Sequence, residues 1–325
     1  MPHPLQPPTR GRWREFFDLR RAGFRVNLFF ALVVLAGLLA GLGSLAYYTA
    51  TQAAVRWGQA LVAGTGPRVV FLAIAGGLVV GLLGLLGPRD RLDGVARVIY
   101  GAALGRPLVG LRDALGIFIR STVTIGTGGS AGREGPVVII GAGLAGTLGR
   151  LMKLSGREMR TLLAAGVAAG VAVAFNAPVA GSLFALEIIL GDFAAGTFSL
   201  VVLAAVAATV LAHGVLGGEP VLQVPAYTFH HWAELFLYAG LGLAAGLMGR
   251  LYIAAIRGSG RLFQRLPGPS WLRPAVGGLL FGTVGAFLPI TLGAEYTPIA
   301  VAAQGGLAWQ VLLALALVKV ATTAI

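Results

Sequence analysis

Long apolar runs alternate with short polar connectors along the whole chain of 325 residues. A helix needs about 20 apolar residues to cross the hydrocarbon of a bilayer. Four runs have this length: Val26–Tyr48, Val69–Leu86, Phe198–Leu216 and Leu235–Ile256. Pro274–Leu288 is of intermediate length, and Leu307–Ile325 is apolar to its last residue. The pattern therefore predicts a polytopic α-helical membrane protein.

The apolar runs in the middle of the chain are too short to cross a bilayer one by one. Glycine, asparagine and proline separate them into Leu115–Ile125, Val137–Leu151, Leu162–Val173 and Val179–Leu190. Irregular backbone at membrane depth is tolerated only where it is buried in protein or lines a cavity. Broken helices that meet near the midplane are typical of transporter sites. We therefore predict an all-α fold with tilted, short and re-entrant helices around Gly126–Leu190.

Composition supports the membrane assignment. Hydrophobic residues make up 57% of the chain, charged residues only 11%, and the mean hydropathy is +0.84. A soluble domain has about 25% charged residues. The 50 glycines favour close approach of membrane helices. The absence of cysteine excludes disulfides, thiol nucleophiles and cysteine-ligated metals.

The formal net charge of +13 comes mainly from arginines in the connectors. Because these charges flank apolar spans, the positive-inside rule explains them better than nucleic-acid binding does. Residues 1–25 show no signal-peptide pattern. We predict that they form a cytoplasmic tail with an interfacial amphipathic helix, whose Phe16, Phe17 and Leu19 face the lipid. A plain cytosolic tail is the alternative. Residues 26–325 form the predicted transmembrane domain.

The glycine-rich segment Gly126–Gly141, GTGGSAGREGPVVIIG, is the strongest candidate for a functional site. It places Glu134 at the start of a helical run, with Pro136 where a proline suits the first helical turn. An ionisable residue at membrane depth is costly and indicates a function. The N–H groups at a helix start attract anions, so Glu134 occupies a place where an anion would bind. The alternative is a structural ion pair between Glu134 and Arg133.

Other site patterns are weaker. A dinucleotide-binding loop needs a βαβ unit and a P-loop needs GK[ST], and the sequence has neither. His213, His230 and His231 are candidate metal ligands, but the last two lie in an aromatic stretch typical of a membrane interface. Asn176–Pro178 is predicted to end one helix and begin the next. We predict no metal, no cofactor and no enzymatic activity.

Several motifs resemble the CLC family of voltage-gated-type chloride channels and proton-coupled chloride exchangers, in its bacterial form. They are GREGP (132–136), AFNAPVAGSLFALE (174–187), WLRPAVGGLLFG (271–282) and KVATTAI (319–325). The resemblance implies a homodimer in the bacterial inner membrane that carries chloride, with Glu134 as the gate. It implies anion-binding positions at Gly132, Arg133, Glu134, Gly135, Pro136, Val137 and Val138.

Three features depart from the family pattern. Asp93 and Gly94 align weakly with an early anion-site motif, and a carboxylate at Asp93 would repel an anion. Glu187 is a candidate for the proton path, although a structural role near the subunit interface is favoured, and Ile188 replaces the glutamate usual in the best-known exchangers. The resemblance also predicts further anion ligands after Ile325. We therefore expect a C-terminally truncated chain that does not conduct alone.

The sequence predicts transmembrane chloride transport. The replacement at Ile188 favours passive, channel-type conduction gated by Glu134. The alternatives are a proton-coupled chloride or fluoride exchanger, a non-conducting fragment, and an unrelated small-solute transporter.

Overall fold

The computed structural model describes residues 10–62, 66–86, 94–218, 229, 231–293 and 297–325, with backbone alone for residues 10–25, 297 and 298. These residues form helices and connectors and include no β-strand, which confirms the all-α prediction. The helices are α1 (Arg10–Val62), α2 (Gly66–Gly84), α3 (Val95–Leu104), α4 (Leu111–Gly126), α5 (Glu134–Leu151), α6 (Gly156–Phe175), α7 (Pro178–Phe184), α8 (Ala195–Leu216), α9 (Glu234–Arg265), α10 (Arg273–Phe287), α11 (Thr297–Ala303) and α12 (Trp309–Ala324). A π-helix, Ala185–Leu190, follows α7, and two 3₁₀ turns, Ser270–Leu272 and Pro289–Thr291, flank α10.

Five of the described helices are long and apolar enough to cross a membrane. Their spans are Val26–Val62, Gly66–Gly84, Gly156–Phe175, Ala195–Leu216 and Glu234–Arg265. Four of them match predicted apolar runs, with ends that differ by a few residues or by a helical extension. The α7 segment with its π-helix is short, as expected for the middle of the chain.

Helix α1 differs from the prediction, because it runs without a break from Arg10 to Val62. The sequence had predicted a separate interfacial helix and a span that ended at Tyr48. No proline lies between these ends, and proline is the residue that most strongly ends a helix. The lipid-facing role of residues 16–19 stays a prediction.

Helix α6 also differs, because its 20 residues reach the length of a full span where the sequence predicted a short one. The helix begins before its apolar run, at a capping box in which Ser155 accepts from the Glu158 N–H and Glu158 accepts from the Ser155 N–H. Such a cap satisfies two donors at the helix start. The helix ends at Asn176 in the left-handed conformation, and α7 starts at Pro178, as predicted for Asn176–Pro178.

The core surrounds α6, which packs on α1, α5 and α8. Small residues make these approaches possible. A Cβ on Gly141 would overlap the Gly166 carbonyl of α6, and a Cβ on Gly37 would overlap Ala204 of α8. Close backbone contact between small residues is the usual basis of helix association in membranes. The resulting frame fixes α5 and therefore the glycine-rich segment that precedes it.

Helices α2 and α10 form a second glycine-lined contact. A Cβ on Gly278 of α10 would overlap the Ala73 carbonyl oxygen of α2, and one on Gly77 would overlap the Pro274 carbonyl. The backbones of α2 and α10 are therefore in direct contact at these glycines. Helix α2 also packs closely against the turn that follows α4, because a Cβ on Gly76 would overlap Thr127.

We expect Gly278→Ala to lower stability by about 1–3 kcal/mol, since overpacking forces the two backbones apart. The measurement is the thermal unfolding midpoint in detergent. Gly246→Ala is the matched control, because a Cβ there meets nothing within 4 Å and the helix-propensity gain of alanine is the same. Equal midpoints for the two variants would contradict the close α2–α10 contact.

Candidate functional site

The candidate site is the turn between α4 and α5, residues 126–133. The Gly129 N–H donates to the Thr124 carbonyl at 2.8 Å and the Gly128 N–H to the Ile125 carbonyl at 3.0 Å, so the chain folds back over the end of α4. Gly128 has φ +93°, a conformation that strongly favours glycine. The turn delivers the chain to Glu134, the first residue of α5.

The Glu134 carboxylate lies back over Gly132. Its Oε2 atom occupies the space that a Cβ on Gly132 would fill. The side chain therefore covers the start of α5, where the helix dipole and the first N–H groups attract negative charge. Only a residue without a side chain leaves this position open, so Gly132 is part of the seat for the carboxylate.

Arg133 is buried, with 9% relative exposure. Its guanidinium carbon lies 5.4 Å from the centroid of the Tyr48 ring, which is within the range of a cation–π contact. Its Nε atom has no hydrogen-bond partner among the described residues. Beside it, the Tyr47 hydroxyl and Ser121 Oγ are 2.7 Å apart and hydrogen-bonded. The sequence did not reveal the contact of Arg133 with Tyr48 on α1 or the hydrogen bond between Tyr47 on α1 and Ser121 on α4.

The other predicted ligands lie at the start of α5. The Val137 N–H donates to the Arg133 carbonyl at 3.3 Å, which opens the helical hydrogen-bond ladder. Val137 and Val138 are buried in the main core, and a Cβ on Gly135 meets nothing within 4 Å. Pro136 has no N–H to offer. The backbone of the residues before Val137 is therefore the part of the predicted set best placed for an anion.

Helix α12 also reaches the turn. Ser130 Oγ and Thr323 Oγ1 are 2.7 Å apart and hydrogen-bonded, and the Gly293 N–H donates to the Gly128 carbonyl at 2.9 Å. The Lys319 ammonium, on the same helix as Thr323, donates to the carbonyls of Thr291 and Gly293 at 2.9 and 2.8 Å. Sequence reasoning missed Lys319, whose signal was a lone cation in an apolar run.

The remaining predicted positions lie elsewhere or outside the structure. Asp93 is outside the described residues. Gly94 caps the start of α3 with φ +61°, and α3 packs on α5 and α6. Glu187 and Ile188 are exposed on the π-helix, whereas their neighbours Leu186, Ile189 and Leu190 are buried. The structure thus keeps the 187–188 pair out of the core that holds α5.

The structure describes two of the three histidines that were candidate metal ligands. His213 Nε2 is hydrogen-bonded to Asn176 Oδ1, so it ties the end of α8 to the end of α6. The His231 ring accepts from the Ala233 N–H at 3.1 Å, and His230 is outside the described residues. No group of three potential metal ligands occurs among the residues that the structure describes.

A cavity of about 540 Å³ borders the turn. Thr124, Gly129 and Ser130 line one wall, and Phe281 and Arg273 line another. The turn is therefore held by protein contacts and adjoins open space at the same time. A charged segment at a helix start, set among membrane-spanning helices, is the arrangement expected of a membrane transport protein for anions.

Comparison with known proteins defines the family. The family model described as "Voltage gated chloride channel" matches residues 86–325. A ClcB-like chloride channel protein of Ralstonia nicotianae is 33% identical over 258 residues, which cover 77% of this chain and 59% of that protein. The H⁺/Cl⁻ exchange transporter ClcA of Salmonella typhi is 33% identical over 214 residues, or 63% of this chain and 45% of ClcA. The chain belongs to the voltage gated chloride channel (CLC) family, and it spans about three-fifths or less of these relatives.

Solved structures show the same fold. A slow cyanobacterial Cl⁻/H⁺ antiporter matches with a TM-score of 0.77 and 20% identity, over 91% of this chain and 73% of that one. A CLC-type fluoride/proton antiporter matches with a TM-score of 0.77 and 23% identity, over 93% of this chain and 76% of that one. The predicted CLC-like membrane fold is thus confirmed.

Proposed function

We propose that this protein transports chloride across the membrane along a path that passes the start of α5, with Glu134 as its gate. The observation that carries the proposal is the Glu134 carboxylate lying over Gly132 at the N-terminal end of α5. A carboxylate and a chloride ion are attracted to the same N–H groups and the same helix dipole. The side chain and the transported ion therefore compete for one place.

Protonation is the proposed opening step. A neutral carboxyl group has lost its attraction to the positive end of the helix, so the side chain leaves and chloride takes its place. Arg133 supports the site as a buried positive charge next to it, held by the Tyr48 ring. The predicted anion positions from Gly132 to Val138 form one continuous backbone segment at this point.

Membrane orientation and assembly are further parts of the proposal. Arginines are concentrated in residues 10–25, in the helix ends on either side of the α5–α6 connector (residues 150–160) and at the end of α9. By the positive-inside rule these segments lie in the cytoplasm, and the N-terminus lies there with them. The named relatives from Ralstonia and Salmonella are bacterial, which supports the bacterial inner membrane. A homodimer is the expected assembly from the family resemblance.

Passive conduction is the favoured mode of transport. Ile188 has no titratable group, so it cannot pass a proton where the best-known exchangers carry a glutamate. Proton-coupled exchange is the second candidate, because ClcA, at 33% identity, is named as an exchange transporter. The two modes differ in whether a chloride gradient drives protons.

We expect chloride to move through the complete protein in liposomes, down its gradient and without stoichiometric proton counter-transport. An outward chloride gradient is imposed, and external pH is followed with chloride efflux. A protonophore added afterwards serves as the control for pH detection. Uphill proton uptake that depends on the protein would contradict passive conduction and establish the exchanger.

A further inference from the structure

Four hydrogen bonds form a closed ring between α12 and the glycine-rich turn. On one side, the Lys319 ammonium donates to the carbonyls of Thr291 and Gly293 at 2.9 and 2.8 Å. The Gly293 N–H then donates to the Gly128 carbonyl at 2.9 Å. The Pro289–Thr291 turn and Gly293 thus link α12 to the turn before α5.

The other side of the ring is the hydrogen bond between Ser130 and Thr323, whose hydroxyl oxygens are 2.7 Å apart. Residues four apart on a helix lie on one face, so Lys319 and Thr323 both lie on the face of α12 that is turned toward the glycine-rich turn. The Leu292 side chain lies against the turn and would touch a Cβ on Gly128 at 3.3 Å. The turn is therefore held at two points by one helix.

The choice of lysine at 319 fits this arrangement. A cation in an apolar helix is costly, and Lys319 is half-buried. Its ammonium lies on two carbonyls, one at the end of the 3₁₀ turn Pro289–Thr291 and one just after it, where backbone acceptors lack helical partners. An apolar side chain would leave both carbonyls without this donor. The Lys319 ammonium therefore holds the backbone of residues 291–293.

We propose that Lys319 is a positioning residue for Gly128–Ser130, in the turn between α4 and α5. Its ammonium holds the 291–293 backbone, the Gly293 N–H holds Gly128, and α12 holds Ser130 through Thr323. The turn thereby keeps a fixed position four to six residues before Glu134. Only the consequence for transport rests on the proposed function; the positioning itself is a property of the fold.

The absence of cysteine from the natural chain allows a direct test. Ser130→Cys and Thr323→Cys are introduced together, because hydroxyls 2.7 Å apart place the two side chains within reach of a disulfide. The purified protein in detergent is oxidised for timed intervals, free thiols are blocked, and the disulfide is quantified by mass spectrometry. The rate of its formation reports how often the turn and α12 are in contact.

Lys319→Met in this reporter is expected to slow disulfide formation about tenfold, since charge-assisted bonds to two carbonyls are lost. Lys319→Arg, which retains a donor cation, is expected to stay within about twofold of the parent. The chain has two lysines, so Lys153→Met, at an exposed position after α5, is the matched control. An unchanged rate in Lys319→Met would overturn the proposal.

Size-exclusion chromatography first shows whether Lys319→Met is folded. If it is not, Lys319→Gln is compared with Lys319→Arg: a slower rate in the glutamine variant supports positioning, and equal rates overturn it. Chloride flux is measured separately in the complete protein without the two introduced cysteines. A slowed disulfide in a protein without chloride flux would keep the positioning role and count against the proposed transport function, so the two failures are distinguishable.

Discussion

Replacing Glu134 by glutamine is expected to make any anion flux through the complete protein independent of pH. The parent protein should carry more chloride as pH falls, because protonation removes the carboxylate that competes with the ion at the start of α5. Glutamine cannot titrate and carries no charge at any pH. Flux in the variant should therefore stay near the highest level of the parent, and Glu134→Ala should behave in the same way.

The measurement is chloride efflux from liposomes between about pH 4 and 8, a range over which carboxyl groups in proteins change from protonated to ionised. Asp192→Asn is the matched control, because it removes one exposed carboxylate and keeps the acceptor that the Ala194 N–H uses at 3.0 Å. This control should retain the pH dependence of the parent. A Glu134→Gln protein with the parent's pH profile would exclude Glu134 as the gate.

The membrane character of the fold follows from local properties of the sequence. Apolar length predicts the spans, and glycine or proline marks their ends. Asn176–Pro178 illustrates this, because a left-handed asparagine and a proline at the first position of α7 are chemically recognisable. Glu134 is recognisable for a similar reason, since an acid within an apolar chain is costly wherever it lies.

The contacts that hold the site are not local, and the sequence did not predict them. Ser130 and Thr323 are 193 positions apart, and the Arg133–Tyr48 contact joins α5 to α1. A pattern of apolar lengths carries no information about which helices meet. The lone charge of Lys319 was visible in the sequence. Its acceptors are backbone carbonyls, which every residue carries, so the sequence could not identify them.

The sequence also predicted the ends of the helices only in part. The sequence ended the first span at Tyr48, because hydropathy falls there, whereas hydrogen bonding continues the helix to Val62. Helices α3 and α11 were missed because they are short, with 10 and 7 residues, and short apolar stretches do not show a clear helical period.

Gly132→Ala is expected to raise chloride flux at neutral pH by about tenfold, because an alanine Cβ and the seated Glu134 carboxylate cannot share one position. A steric cost of about 1–3 kcal/mol against the seated side chain shifts its equilibrium by roughly that factor. Gly246→Ala, on α9 and outside the predicted anion positions, is the control, since its Cβ would meet nothing within 4 Å and should leave flux unchanged. In a Glu134→Gln protein, whose side chain lacks the charge that favours the seat over Gly132, the further change Gly132→Ala should raise chloride flux very little. If Gly132→Ala and Gly246→Ala give the same flux as the parent at neutral pH, the carboxylate does not close the path from this seat.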